Sequence, residues 1–366
     1  MAARVLIAGA GVAALEAALG FQALAGAEVE VELLGAEHHF WYRPLAVGEA
    51  FDLGEATRYE LPALAAAAGA VFTRGELRAV EDGRGVADTT VGEVRYDYLL
   101  IAVGATPVSA VPGGLTFRGP ADTDQLRSLL AELAAGKVRR VAFVAPTRVT
   151  WTLPLYELAL LTANHVAAAR IEDVELTVVT PEPEPLGLYG RRASLDVRLA
   201  LEQHGVRLCT AATPLEHRDG VLRVAPLGNF EADRVIALPR LRGATLEGVP
   251  QTAAGFIQID AHAHVRGLDR AYAAGDIVDF PVKHGGIAAQ LADAAASSIA
   301  ARAGAPVEPE PFRPALEAVL LTGDKAHLLP PRPGGGADTA LSWSPAKIAS
   351  RYLSPFLARF PTDLEP

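Results

Sequence analysis

Gly9, Gly11 and Ala14 stand in the spacing GxGxxA near the start of the chain, and no other pattern in the sequence points as directly to chemistry. The first glycine permits a tight turn, the second lets a diphosphate come against the backbone, and the alanine keeps the following helix close to a strand. A helix beginning there offers unpaired N–H groups and a partial positive charge to phosphate oxygens. The flanking residues fit this: Arg4 to Ala8 reads as an apolar strand and Val12 to Leu24 as a helix. An acidic residue usually ends the second strand of such a unit and holds a ribose. Gly35 occupies that point here, so Glu37 is either the substitute or an exposed loop carboxylate.

Several other chemistries are disfavoured. Cys209 is the lone cysteine, which excludes an intrachain disulfide, a dithiol redox pair and Cys-rich zinc or iron–sulfur sites, and suits a reducing cytoplasm. It closes the strand expected at Val206 to Cys209 and reads as a buried, inert thiol. His262 and His264 alternate along an extended segment without a third ligand nearby, so no metal site is expected. A GxSxG nucleophile elbow is absent. The net charge is −10 with no basic stripe, which argues against nucleic-acid binding.

The elements that must position the glycine turn follow a repeated pattern. A chain of 366 residues, half of them hydrophobic, is long enough for two domains. Val5 to Ala27 is apolar, yet Glu16 and spaced glycines make it strand plus helix rather than a signal or membrane span. Strands are expected at Val29 to Leu34, Ala70 to Phe72, Leu77 to Val80 and Val91 to Val103, with a short helix at Ala63 to Ala68. The pattern then restarts: a helix from Leu126 to Leu133, a strand from Arg140 to Val144, a helix from Leu155 to Ala169. The strand Glu175 to Val179, a helix from Ala193 to His204 and the strand ending at Cys209 complete a second βαβ series. Two such series predict an α/β protein with two Rossmann-like dinucleotide-binding domains. A helix from Gly286 to Ala303 follows, then proline-rich stretches at Pro306 to Pro314 and Pro330 to Pro333, a loop at Gly334 to Gly336, and a final helix from Pro345 to Phe360.

Four further segments give a family resemblance. Tyr96 to Ala105 resembles the strand and turn that cross under FAD in the pyridine nucleotide–disulfide oxidoreductase superfamily. Ala271 to Asp276 resembles its late Gly-Asp motif, Pro281 to Gly286 the start of its flavin-facing helix, and Trp41 to Pro44 its loop beside the isoalloxazine. The nearest branch resembles the sulfide:quinone oxidoreductases and type II NADH dehydrogenases. The resemblance implies FAD, held by Gly9, Gly11, Ala14, Glu37, Arg43, Pro44, Ala102, Gly104, Gly275, Asp276, Lys283 and Gly286. Asp276 would accept a hydrogen bond from a ribityl hydroxyl, and the helix starting near Gly286 would stabilise negative charge on a reduced flavin. It also implies a division into an FAD domain (1–118 and 247–303), an inserted degenerate NAD(P)-type domain (119–246) and a C-terminal region (304–366).

The chain departs from the family in two places. Ala145-Pro146-Thr147-Arg148 stands where the second glycine turn belongs; proline lacks an N–H and side chains block a phosphate, so ordinary NAD(P)H binding is not expected. Thr150, Trp151 and Thr152 occupy the region where sulfide oxidoreductases carry a cysteine, just before the family-like Pro154-Leu155-Tyr156-Glu157. The cysteine route to sulfide oxidation is therefore excluded. Candidate catalytic residues are Lys283, as a charge beside the flavin or a surface lysine, and Glu157, as a proton carrier or a structural carboxylate. Trp151 and Tyr156 would wall an apolar slot or belong to the core. Ile348, Tyr352, Phe356 and Phe360 would share a face of the final helix beside Lys347, Arg351 and Arg359, packing on the flavin domain or a second copy in preference to a membrane surface. These readings combine into an FAD-dependent oxidoreductase, cytoplasmic or peripheral to the inner membrane face, passing electrons from an unidentified donor to a quinone-like or protein acceptor. An NAD(P)H:quinone dehydrogenase with an atypical turn and a non-catalytic FAD-holding protein are the alternatives.

Overall fold

Short strands rich in apolar residues build two parallel sheets, each of five strands. The computed structural model describes residues 2–54, 56–323, 326–329 and 347–361. The first sheet runs Ala271–Ala273, Tyr98–Ile101, Ala3–Ala8, Val29–Gly35 and Ala70–Arg74, with every neighbouring pair parallel. The second runs Leu115–Thr116, Arg234–Ala237, Arg140–Val144, Glu175–Val179 and Val206–Cys209, again all parallel. In both, the order reverses beside the strand that opens the unit, which creates a crevice at the carboxyl ends of Ala3–Ala8 and of Arg140–Val144. Each sheet has a companion antiparallel meander: Leu77–Glu81 with Val86–Thr89 and Gly92–Arg95, and Thr213–Arg218 with Val221–Ala225 and Gly228–Glu231. Ala105–Val108 pairs with Arg240–Gly243 where the chain crosses between the sheets.

The opening helix, Val12–Leu24, is buried along most of its length and lies against the helix Gly285–Arg302. Alanines dominate the contact, and a Cβ on Gly20 would stand 3.3 Å from the Ala296 methyl, so small side chains set the close approach. One charged residue interrupts this apolar surface. Glu16 is fully buried, and its carboxylate accepts the backbone N–H groups of Arg351 (2.8 Å), Tyr352 (2.8 Å) and Leu353 (2.6 Å).

That arrangement corrects the expected final helix. Pro345 lies outside the described residues, as do Pro330 to Pro333 and Gly334 to Gly336. From Lys347 onward the only α-helix described is Leu353–Leu357. Residues 351–353 give their amides to Glu16, and Ser350 Oγ caps Ser354 N–H, so these donors are satisfied without the helix winding earlier. Ile348, Leu353 and Leu357 are buried, with Phe356 and Phe360 packed against the same core. The expected strand Val91 to Val103 also divides. Gly92–Arg95 joins a meander and Tyr98–Ile101 joins the parallel sheet, with the break at Asp97, whose carboxylate accepts the Arg4 N–H at 2.8 Å. Among the described residues no helix is long and apolar enough to cross a membrane.

Asp293 lies on the long helix within electrostatic reach of Glu16. Burial first, then Glu16 and Glu310, push its carboxyl up to about 7 against the pull of Arg351. Burial also raises Glu16, despite its three amide donors. Such groups keep protons in the folded chain after the unfolded chain has released them, so their contribution is present below about pH 4 and is lost as pH climbs through about 7. Asp293→Asn should therefore gain thermal stability relative to the parent at pH 8 and lose most of that advantage at pH 5. Melting temperatures of both proteins across this range test the point; a constant difference would contradict it.

Candidate functional site

Gly9 ends the first strand with φ of 130°, a backbone conformation that side chains disfavour. A Cβ there would lie 2.1 Å from the Ala102 carbonyl oxygen, so the turn and the end of Tyr98–Ile101 meet backbone to backbone. Hydrogen bonds from Gly9 N–H to Leu34 O and from Ala102 N–H to Ala8 O, both 2.7 Å, fix three strand ends around it. Gly11 differs: nothing lies within 4 Å of where its Cβ would be. It caps a helix whose first turn holds no acidic residue and receives no side-chain cap, so the helix start faces open space with its amides free of side-chain acceptors. Ala14 is fully buried beneath. Such an opening at a helix start suits a diphosphate.

The late Gly-Asp turn closes on the same helix start. Gly275 has φ of 80°, and its Cβ position is 3.1 Å from the Ala13 methyl. The Asp276 carboxylate accepts no hydrogen bond from the described residues; burial raises its pKa, while the charges of Lys283 and Arg43 pull it down. An unspent carboxylate beside a diphosphate cradle fits a sugar or ribityl hydroxyl. Gly104, also at positive φ (73°), lies in open space, and Glu37 is exposed. The departure at Gly35 has a steric reason: a Cβ there would be 2.7 Å from the Ala10 methyl and 3.1 Å from the Phe72 ring.

Lys283 is buried, with Nζ donating to the Val278 carbonyl and standing 4.2 Å from the centre of the Phe256 ring. Burial lowers its pKa to about 8, against the carboxylates of Asp276 and Asp279. His284, next to Lys283 in the chain, organises this corner. Its Nδ1 accepts the Gly286 N–H at 2.8 Å, which caps the helix Gly285–Arg302. The ring proton then sits on Nε2, which is buried without a partner, and burial lowers the pKa to about 4, so the ring is neutral at pH 7. The ring lies 4.4 Å from that of Trp151, centre to centre, and Trp151 meets Tyr189 edge-on at 5.8 Å. Tyr189 also holds a buried hydroxyl without a partner. Gly286 thus spends its amide inside the protein, and a Cβ on it would press on the His284 ring (2.7 Å) and the Ala349 carbonyl (3.3 Å).

Glu157 is held in an ion pair. Its Oε1 lies 2.8 Å from Lys347 Nζ and accepts the Leu321 N–H at 3.0 Å; the two side chains are 1% and 9% exposed. Burial raises the carboxyl pKa, and Lys347 opposes the rise. Lys347 also donates to the Pro44 carbonyl at 2.9 Å, linking the C-terminal segment to the Arg43–Pro44 loop. No spacing rule could have revealed this pair, since 190 residues separate its members.

The second crevice begins as the first does and then departs from it. Ala145 N–H bonds to Val179 O at 2.9 Å, as Gly9 does to Leu34, and Leu238 N–H bonds to Val144 O at 3.0 Å, as Ala102 does to Ala8. The chain then continues from Pro146 through Thr152 before the helix Leu153–Ala168 begins. Glu182, just past the second strand, stands where a ribose ligand would be expected. Thr152 Oγ1 (2.9 Å), Thr180 Oγ1 (3.0 Å) and the Tyr156 hydroxyl all donate to its oxygens. Tyr156 is fully buried, so it belongs to the core, whereas Trp151 is only partly covered. Cys209 is buried at the end of its strand.

No family profile matches the sequence, and neither does any curated protein. Solved structures do. The sulfide:quinone oxidoreductase of Aquifex aeolicus is 18% identical, with a TM-score of 0.79 over 89% of this chain and 83% of that one. The ferredoxin reductase for the CYP199A2 system of Rhodopseudomonas palustris is also 18% identical, with a TM-score of 0.65 over 89% and 81%. NDH2 from Plasmodium falciparum, solved in complex with NADH, is 14% identical, with a TM-score of 0.62 over 76% and 65%. The chain has the two-Rossmann-domain fold these proteins share.

Proposed function

We propose that this chain, on the fold of the pyridine nucleotide–disulfide oxidoreductases, is an FAD-dependent oxidoreductase that passes electrons to a quinone-like or protein acceptor without a nicotinamide or a cysteine pair. The observation that carries the reading is the pairing of an open glycine cradle at Gly11 with the unspent carboxylate of Asp276 at the same helix start. In this reading residues 1–118 and 247–303 form the FAD domain and 119–246 the second, degenerate one. FAD, when bound, would supply electron transfer in one- or two-electron steps.

The chain's own residues would do the rest. The turn at Gly9 and Gly11 holds the diphosphate, Asp276 takes a hydroxyl, and Arg43 and Lys283 place positive charge near it. Trp151 and His284 wall one side, with the neutral Nε2–H offering a hydrogen bond without accepting a proton at pH 7. Glu157 is assigned to anchoring Lys347 and, through it, Pro44, in place of proton transfer. Similarity to a sulfide:quinone oxidoreductase and a ferredoxin reductase supports the acceptor class.

An NAD(P)H:quinone dehydrogenase is the competing reading, supported by similarity to NDH2. Against it stand Pro146 in the second turn and a Glu182 already engaged by three hydroxyls. Anaerobic mixing of the FAD-loaded protein with NADH or NADPH separates them. Flavin absorbance should persist, and rapid bleaching by either nucleotide would replace the first reading with the second.

A further inference from the structure

We infer that His38, His39 and Glu60 bind a divalent transition-metal ion of the zinc type at the base of the loop that carries Arg43 and Pro44. Among the described residues this is the one group of three potential ligands, and their donor atoms all lie within 4.8 Å of one another. The backbone explains the convergence. His39 and Glu60 are direct partners across the antiparallel pair His39–Trp41 and Arg58–Glu60, so their side chains leave the same face of the ladder. His38 stands just before the strand, where alternation does not bind it to the opposite face, and its carbonyl accepts the Leu61 N–H at 2.9 Å. Its ring is placed edge-on to that of His39, 5.1 Å away, and to Phe72, 6.5 Å away.

None of the three side chains makes a hydrogen bond or ion pair with the described residues. Arg58, the nearest cation along the same strand, instead lies over the Trp41 ring at 5.7 Å and leaves Glu60 unpaired. Two imidazoles and one carboxylate suit zinc and its neighbours, and three protein ligands leave a position for water at this exposed end. An ion here would tie together the two strands whose other ends are joined by the Tyr42 N–H to Thr57 O bond (2.9 Å), fixing both roots of the intervening loop.

The test uses untagged, full-length, FAD-loaded protein. Titration with Zn²⁺ should give one site per chain, and Co²⁺ should develop the visible absorption of a low-symmetry nitrogen–oxygen site. His38→Ala, His39→Ala and Glu60→Gln should each weaken Zn²⁺ at least about tenfold, while Glu60→His, which keeps a ligand, should restore it. His262→Ala should leave binding unchanged. Metal-free melting temperatures of the variants verify that folding is intact. Absence of Zn²⁺ heat and of a Co²⁺ spectrum would overturn the inference, as would a single site that survives His39→Ala or Glu60→Gln. This site is independent of the electron-transfer reading, and either can fail alone.

Discussion

A chain carrying Gly11→Val should fold as the parent does and purify without flavin colour. Valine can adopt the extended backbone of Gly11, φ −91° and ψ −164°, and nothing of the protein lies within 4 Å of the new Cβ. The added methyls would instead fill the space read here as the path of the diphosphate, and separate it from the helix amides. FAD affinity should fall at least about 100-fold, roughly 2.7 kcal/mol. The melting temperature of the cofactor-free protein should hardly change. Gly9→Ala provides the contrast: its methyl would be driven into the Ala102 carbonyl, so the apo fold itself should weaken. If Gly11→Val binds FAD as tightly as the parent, the diphosphate is not at this turn and the functional reading falls with it.

The second large effect concerns the buried pair. Lys347→Met should destabilise the protein by about 3–5 kcal/mol at pH 7, because Glu157 is left charged and almost without solvent. The double variant Lys347→Met, Glu157→Gln should recover much of the loss, since the unpaired charge is gone and only hydrogen bonds differ. Denaturant midpoints for the two single variants and the double variant give the coupling directly. Lowering the pH should also relieve Lys347→Met, by protonating a carboxyl that burial already raises. Additive losses in the double variant would show the two groups to be independent.

Much of the fold could be read from the residues because parallel strands carry short apolar stretches, unbroken at Val141 to Val144 and interrupted by single polar residues such as Thr177 and Arg207 in its neighbours. Arg140–Val144, Glu175–Val179, Val206–Cys209 and the helix Val12–Leu24 fall where patterning puts them. The hairpin strands Thr213–Arg218 and Val221–Ala225 leave little mark in the sequence, since half-exposed charges such as Glu216 and Arg223 dilute their alternation. The final helix failed for another reason: a distant carboxylate, Glu16, claims the amides that would have continued it. In the site, the glycines were legible because a backbone requirement leaves its mark at one position. The roles of His284, Lys347 and the His38–His39–Glu60 cluster were not, because each depends on elements that only the fold brings together.

The engaged carboxylate of the second crevice bears on how such a chain could change partners. Replacing Pro146 by glycine would supply a flexible turn, yet a pyridine cofactor would still find Glu182 bound by Thr152, Thr180 and a core tyrosine. Freeing that carboxylate means removing Tyr156 from the middle of a packed helix, at a cost in stability that no new ligand contact repays until the turn is also rebuilt. Neither change alone would give a nicotinamide its site. In the proposed reading, the exclusion of a nicotinamide donor is held by the interior of the protein rather than by its surface.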